Sequence, residues 1–245
     1  MEVYGLIGKS LKHSFSKTYF EQKFKDQKIE NTEYRNFEFE HIDEVKVWLS
    51  EIKELKGLNV TIPYKSSIFP FLDGIDEIAE KIGAVNTVKI TDEGSWIGYN
   101  TDVYGFSTSL KPFLTNRHET ALILGTGGAS KAVEFALKEL NISVVKVSRT
   151  KGKADLTYAD LNENVFKACK LIINTSPLGT WPNITESPDI PFEFLSPEHL
   201  VYDLIYNPEK TLFLKQAESA GATIMNGLNM LKLQAEKSWE IWNKT

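Results

Sequence analysis

The sequence predicts an α/β protein of two domains. Three observations carry that prediction: short apolar stretches alternate with helically spaced ones over the first hundred residues, the alternation restarts at Thr120, and a glycine-rich turn heads the second series. A chain of 245 residues has room for one large domain or two small ones. With 42% hydrophobic and 25% charged residues, it falls outside the disordered and fibrous classes.

Val3 to Ile7 reads as an apolar strand, and Ser16 to Lys28 as a helix with Phe20 and Phe24 on one face. Tyr34, Phe37 and Phe39 mark a second strand, and His41 to Ile52 a helix. Leu58 to Ile62 is a third strand, stopped by Pro63. Helical pieces follow at Ser66 to Phe71 and Asp76 to Ile82. Ala84 to Ile90 and Ser95 to Tyr99 flank Asp92-Glu93-Gly94, a hairpin signal. In the second series, strand Ala121 to Leu124 enters the glycine turn and a helix through Leu140. Further strands are Ile142 to Val147, Leu171 to Asn174, Leu200 to Ile205 and Thr223 to Met225. The helix Thr211 to Ala220 ends at Gly221. Helix Leu228 to Trp242 carries a stripe of Leu228, Leu231, Ala235, Trp239 and Trp242. The predicted division is 1–102 plus 226–245 for the first domain and 103–225 for the second, with a cleft between them.

A formal charge of -5 without a basic stripe argues against nucleic acid as partner. The amino terminus enters a strand at once, and no segment reads as a signal peptide or membrane span, so the expected location is the cytoplasm. The single cysteine, Cys169, suits a reducing compartment and reads as a small buried hydrophobe. His13, His41, His118 and His199 are scattered, so no metal site is expected.

The segment Leu122-Ile123-Leu124-Gly125-Thr126-Gly127-Gly128-Ala129-Ser130 joins a buried strand to a helix. Glycine lets backbone approach a pyrophosphate, and the helix start offers free N–H groups and a positive dipole end. Ser130 stands where the usual dinucleotide fingerprint has Gly or Ala, but the strand–turn–helix context is the required one. Where an NAD site places an acid on the ribose, this chain has Ser148-Arg149-Thr150, with Lys151 and Lys153 beyond. A guanidinium with nearby ammoniums suits a 2′-phosphate, so NADP is the expected cofactor of a Rossmann-type domain.

The first half places polar residues at strand ends: Asn59, Thr61 and Lys65 around Pro63; Asn86 and Thr87 after Gly83; Asn100, Thr101 and Asp102 after the hairpin. Asn59 and Thr61 are two apart and project from one strand face. A lysine beside an aspartate in a cleft makes a proton-transfer pair, and spacing alone leaves open whether Lys65 and Asp102 meet.

These blocks resemble those of the shikimate dehydrogenase family over nearly the whole chain. The resemblance rests on His13-Ser14-Phe15-Ser16, Asn59 through Lys65, Gly83 through Thr87, Asn100 through Phe106, the Gly125 turn and Ser148-Arg149-Thr150. It continues through Asn174-Thr175-Ser176-Pro177, Asp203 through Pro208, and Gly227 through Gln234. It implies an N-terminal α/β substrate-binding domain and an NADP-binding domain. The implied activity is the reversible NADPH-dependent reduction of 3-dehydroshikimate to shikimate, on the route to chorismate and the aromatic amino acids. On that resemblance Lys65 is the acid/base and Asp102 its partner. Ser14 and Ser16 hold the substrate carboxylate, assisted by Tyr206. Asn59, Thr61, Asn86, Asp102 and Gln234 bind the ring hydroxyls. Gly125, Gly127, Gly128 and Ala129 cradle the pyrophosphate, and Ser148, Arg149, Thr150 and Lys153 surround the 2′-phosphate. Thr175 and Gly227 lie near the nicotinamide. The implied partner is a small-molecule substrate, with no nucleic acid or membrane, in a monomer or homodimer. Lys17, Ser148 and Lys153 depart from the family's usual proline, asparagine and arginine.

Competing readings are a quinate-oxidising relative, a non-enzymatic NADP-binding sensor and a short-chain dehydrogenase. A quinate-oxidising relative would more often alter Ser14 or Ser16, and a sensor would lose Lys65 or Asp102. The Tyr19-x-x-x-Lys23 match to a short-chain dehydrogenase precedes the nucleotide turn instead of following it.

Overall fold

The computed structural model describes residues 1–11 and 14–244. It divides into two compact units, residues 1–101 with 234–245 and residues 102–233.

Unit 1 holds β1 (Glu2–Gly8), α1 (Phe15–Asp26), β2 (Thr32–Glu38), α2 (Val45–Ser50), β3 (Leu55–Val60), β4 (Gly74–Ile75), α3 (Glu77–Ile82), β5 (Thr87–Ile90) and β6 (Trp96–Tyr99). The strands form one sheet in the order β2-β1-β3-β5-β6-β4. β1 pairs in parallel with β2 and β3, whereas β5 runs antiparallel to both β3 and β6. The β5–β6 hairpin follows its sequence signal: Thr91 N–H donates to Ser95 O at 2.9 Å. Side-chain alternation sorts β1 onto two cores. Val3 and Ile7 join Leu58, Val60, Val45 and Leu49 on one face. Tyr4 and Leu6 join Phe20, Phe24, Tyr34 and Trp242 on the other.

Unit 2 holds α4 (Asp102–Leu110), β7 (Thr120–Leu124), α5 (Gly128–Glu139), β8 (Ser143–Ser148), β9 (Leu156–Thr157), α6 (Glu163–Ala168), β10 (Leu171–Asn174), β11 (Leu200–Asp203), α7 (Leu212–Ser219) and β12 (Thr223–Met225). The last helix, α8 (Leu228–Asn243), begins here, and its residues from Gln234 onward belong to unit 1. The sheet is wholly parallel, in the order β12-β11-β10-β7-β8-β9. Alternation again separates two cores. Leu122 and Leu124 pack with Phe166, Phe213 and Leu214, and Ala121 and Ile123 pack with Phe106, Val133 and Leu137. Strands buried on both faces read as continuous apolar runs, which is why β7 and β10 are plain in the sequence.

Several elements differ from the sequence reading. The helix expected over 41–52 is α-helical only at Val45–Ser50, after a 3₁₀ turn at Ile42–Glu44. The piece expected over 66–71 is a 3₁₀ turn at Phe69–Phe71, because Pro70 cannot continue an α-helix. α4 carries no strong helix signal, being rich in Ser, Thr and Gly, and it forms because Phe106 and Leu110 fill the second core of unit 2. Asp102 and residues 226–233, expected with the first domain, fall in unit 2, where Met230 packs with Phe106 and Tyr202.

Candidate active site

In unit 1 the expected polar residues converge at the carboxyl end of β3 and the start of β5. Asn59 keeps its side chain on the face opposite buried Val60, and Thr61 follows the strand, its N–H donating to Ile7 O at 2.9 Å. The Ile62–Pro63 peptide is cis, and Lys65 lies in the turn beyond it, half-buried. Its carbonyl accepts from Val85 N–H at 2.7 Å, so the Lys65 turn and the Asn86 segment are tied together.

Asn86 is buried, and its amide is oriented by its partners. Oδ1 accepts from Thr101 N–H at 2.7 Å, so Nδ2 is the end facing Gln234 Oε1 at 3.3 Å. With its oxygen thus engaged, Gln234 presents an amide nitrogen as donor. Asn59 Nδ2 donates to Ser238 Oγ at 2.9 Å, and Asn59 Oδ1 accepts from the Tyr34 hydroxyl at 2.8 Å. Thr87 Oγ1 lies 2.7 Å from Ser238 Oγ, and both residues are fully buried. The structure therefore brings Asn59, Asn86 and Gln234 into one hydrogen-bonded group. Ser16 lies in the first turn of α1, half-buried. Ser14 caps α1, its Oγ accepting from Lys17 N–H at 3.4 Å. His13 lies outside the described residues. Tyr34, Thr87, Thr101 and Ser238 were given no role from the sequence. Thr87 and Thr101 stood inside the motif blocks, and Ser238 is one helical turn beyond Gln234. Tyr34 gave no signal beyond strand periodicity.

In unit 2, β7 is central, with β10 on one side and β8 on the other, which makes its carboxyl end a topological switch point. Gly125 has φ of +117° and no room for a side chain, since a Cβ there would lie 2.8 Å from Thr175 Oγ1. Thr175 in turn donates through both N–H and Oγ1 to Leu124 O, at 3.0 and 2.9 Å. Gly127 and Gly128 differ from Gly125: a Cβ on either would meet nothing within 4 Å. α5 starts at Gly128 with no side-chain cap and no acid in its first turn. Open space before an uncapped helix start fits a dinucleotide phosphate.

At the end of β8, Arg149, Thr150, Lys151 and Lys153 are all exposed or nearly so, and no acid stands among them. Ser148 is buried, and its Oγ accepts from Thr150 N–H at 3.1 Å. Its hydroxyl thus shapes the turn that displays Arg149. Gly227 is forced by close backbone approach, since a Cβ there would fall 1.9 Å from Leu204 O. Asp102 opens α4 and is buried, and Tyr206, which follows β11, has its phenol pushed up by burial. At the carboxyl end of β11, two strands from β7, Asp203 is fully buried and accepts from Thr211 Oγ1 at 2.6 Å, Asn174 Nδ2 at 3.0 Å and Ile205 N–H at 3.1 Å. Burial raises its carboxyl to about 6 despite those three donors. Asn174 Oδ1 accepts from Ser176 N–H at 2.9 Å, so Asp203 also sets the loop that carries Thr175. Among the described residues there is no cluster of His, Cys, Asp and Glu able to hold a metal ion, and no helix long and apolar enough to cross a membrane.

A family model for the shikimate dehydrogenase substrate binding domain matches residues 6–88. The shikimate dehydrogenase (NADP(+)) of Methanosphaera stadtmanae is 38% identical over 258 residues, covering 97% of this chain and 90% of that protein. The chain belongs to the shikimate dehydrogenase family. Solved members of the family share the architecture. A shikimate dehydrogenase crystallised with NADP+ matches with a TM-score of 0.88 at 34% identity, over 99% of this chain and 90% of that one. The shikimate 5-dehydrogenase of Thermus thermophilus, in complex with NADP(H) and shikimate, matches with a TM-score of 0.87 at 29% identity, over 99% and 94%.

Proposed function

We propose that this chain catalyses the reversible NADPH-dependent reduction of 3-dehydroshikimate to shikimate, on the route to chorismate, with Lys65 as acid/base and Asp102 as its partner. The observation that carries the reading is near-full-length similarity to a shikimate dehydrogenase (NADP(+)). The uncapped start of α5 and the acid-free corner at Arg149 supply independent support for the cofactor.

The chemistry divides between protein and cofactor. When bound, NADPH supplies the hydride to the ring carbonyl carbon. The carbonyl oxygen then needs a proton and, until it arrives, a neighbouring positive charge. Lys65 as an ammonium provides both, and Asp102 orients it. Ser14 and Ser16 hold the substrate carboxylate with Tyr206, through hydroxyl hydrogen bonds. Asn59, Thr61, Asn86 and Gln234 meet the ring hydroxyls, and the donor end of Gln234 faces outward because Asn86 occupies its oxygen. Gly125, Gly127, Gly128 and Ala129 hold the pyrophosphate. Arg149, Thr150 and Lys153 meet the 2′-phosphate, on a turn that Ser148 shapes from below. Thr175 and Gly227 border the nicotinamide. The chain works as a monomer or homodimer in the cytoplasm.

Absorbance of the reduced nicotinamide, followed with shikimate or quinate and with NADP or NAD, tests the whole reading. Strong turnover with shikimate and NADP alone is expected. Comparable rates with quinate or NAD would keep the family and overturn the specificity. Folded protein that binds NADP and turns over no pair would point to a sensor.

A further inference from the structure

Asn59 sits in the middle of the polar group of unit 1, and its amide has two ends of opposite character: Oδ1 accepts and Nδ2 donates. Turning it over would exchange them and reverse what it offers a ligand. Partners at both ends set which way it points: the Tyr34 phenol at Oδ1, and Ser238 Oγ with the Asn86 carbonyl, 3.4 Å away, at Nδ2. The Tyr34 hydroxyl donates to Asn59 Oδ1 at 2.8 Å, and Asn59 Nδ2 donates to Ser238 Oγ at 2.9 Å, with Thr87 Oγ1 at 3.3 Å. Tyr34 is only 3% exposed and is fixed by its ring, which stacks on Phe20 with centroids 4.6 Å apart and planes at 12°. Burial also holds the phenol well above its ordinary pKa, so it keeps its proton and remains a donor.

We propose that Tyr34 is a positioning residue for the substrate pocket of unit 1, fixing the Asn59 amide through its phenol. The asparagine expected at a ring hydroxyl is then held from behind by a phenol on β2 and by Ser238 on α8. The substrate class is a carboxylated cyclohexene polyol, one of whose ring hydroxyls meets the amide so oriented. The proposal rests on shikimate being the substrate.

Tyr34→Phe keeps the ring, its stacking and its burial and removes only the hydroxyl. The expected result is a rise of about tenfold in KM for shikimate, with kcat within about twofold and KM for NADP unchanged. In an Asn59→Ala background the same change should move shikimate KM by less than about twofold, because its target is gone. An unchanged KM in Tyr34→Phe overturns the proposal. So does a second tenfold loss in the Asn59→Ala background, or a joint shift of both KM values with a fall in melting temperature. If Tyr34→Phe does not fold, nuclear Overhauser contacts in the wild-type protein decide. Asn59 side-chain amide protons beside Ser238 support the proposal, and amide protons beside the Tyr34 ring overturn it. Absence of shikimate turnover in the wild type removes the parent reading and this one together, whereas normal turnover with an unmoved KM removes this one alone.

Discussion

Single residues in this molecule do different work according to what they touch. Lys65 has the simplest expectation: as the proposed proton donor, its replacement in Lys65→Ala should lower kcat by about 10²–10⁴-fold while NADP affinity stays within about twofold. Steady-state kinetics beside cofactor titration measures both, and equal loss of the two would remove the catalytic role. Asp203 predicts a pH effect of definite sign. Its folded carboxyl titrates at about 6, above the ordinary 3.8. Below pH 4 it is protonated in both states. Between pH 4 and 6 the unfolded chain ionises first, so this group's contribution to stability falls as pH rises, by up to about 3 kcal/mol, and is flat above 6. Urea unfolding of wild type and Asp203→Asn across that window should give curves that diverge, and parallel curves would sink the argument. The side chains proposed to carry chemistry could be picked out in the sequence because they stand in motif blocks. Tyr34, Ser238 and Asp203 were not assigned, because their roles exist only once β2, α8 and the end of β11 bring them to Asn59 and Asn174.

Elements explain why glycines in one motif are unlike each other. Gly125 is needed to fold: φ of +117° and the Thr175 hydroxyl both exclude a side chain. Gly127, the cap of α5, has φ of -78° and open space above it, so its glycine identity has no folding reason. Gly127→Ala should leave the melting temperature unchanged or slightly raised and weaken NADP binding at least tenfold. Gly125→Ala should lower the melting temperature itself. Calorimetric melting and cofactor titration of the two variants separate the cases, and a destabilised Gly127→Ala would refute the distinction. Element reading from sequence succeeded where a segment is buried on both faces, as in β7, β10 and β11. It failed where tertiary packing overrides local preference, as in α4, and where proline shortens a periodic stretch, as at Pro70.

At the scale of the whole molecule, the two units have separate cores, and the last turns of α8 complete the first of them. Trp242 is a buried contact of that return segment. Its ring lies 5.0 Å from Tyr4 and 5.4 Å from Phe20, and its Nε1 donates to Val88 O at 3.0 Å. Gly57 has no side chain because the Trp242 ring occupies the space, 2.4 Å from where a Cβ would stand. Trp242→Ala therefore empties a volume that neither β3 nor α1 can refill, and about 3–5 kcal/mol of stability should be lost from unit 1. Four of the five tryptophans, Trp48, Trp96, Trp239 and Trp242, lie in unit 1, and Trp181 lies in unit 2. Intrinsic fluorescence thus follows unit 1, and the fluorescence of bound NADPH follows unit 2. In urea the wild type should lose both signals at higher denaturant than the variant loses the first. The variant should show tryptophan fluorescence changing early while NADPH binding persists, because the cores around Leu122 and Phe106 do not include α8 beyond Met230. Simultaneous loss of both signals in Trp242→Ala would mean that the units unfold as one, and that the return of α8 couples them instead of only completing the first.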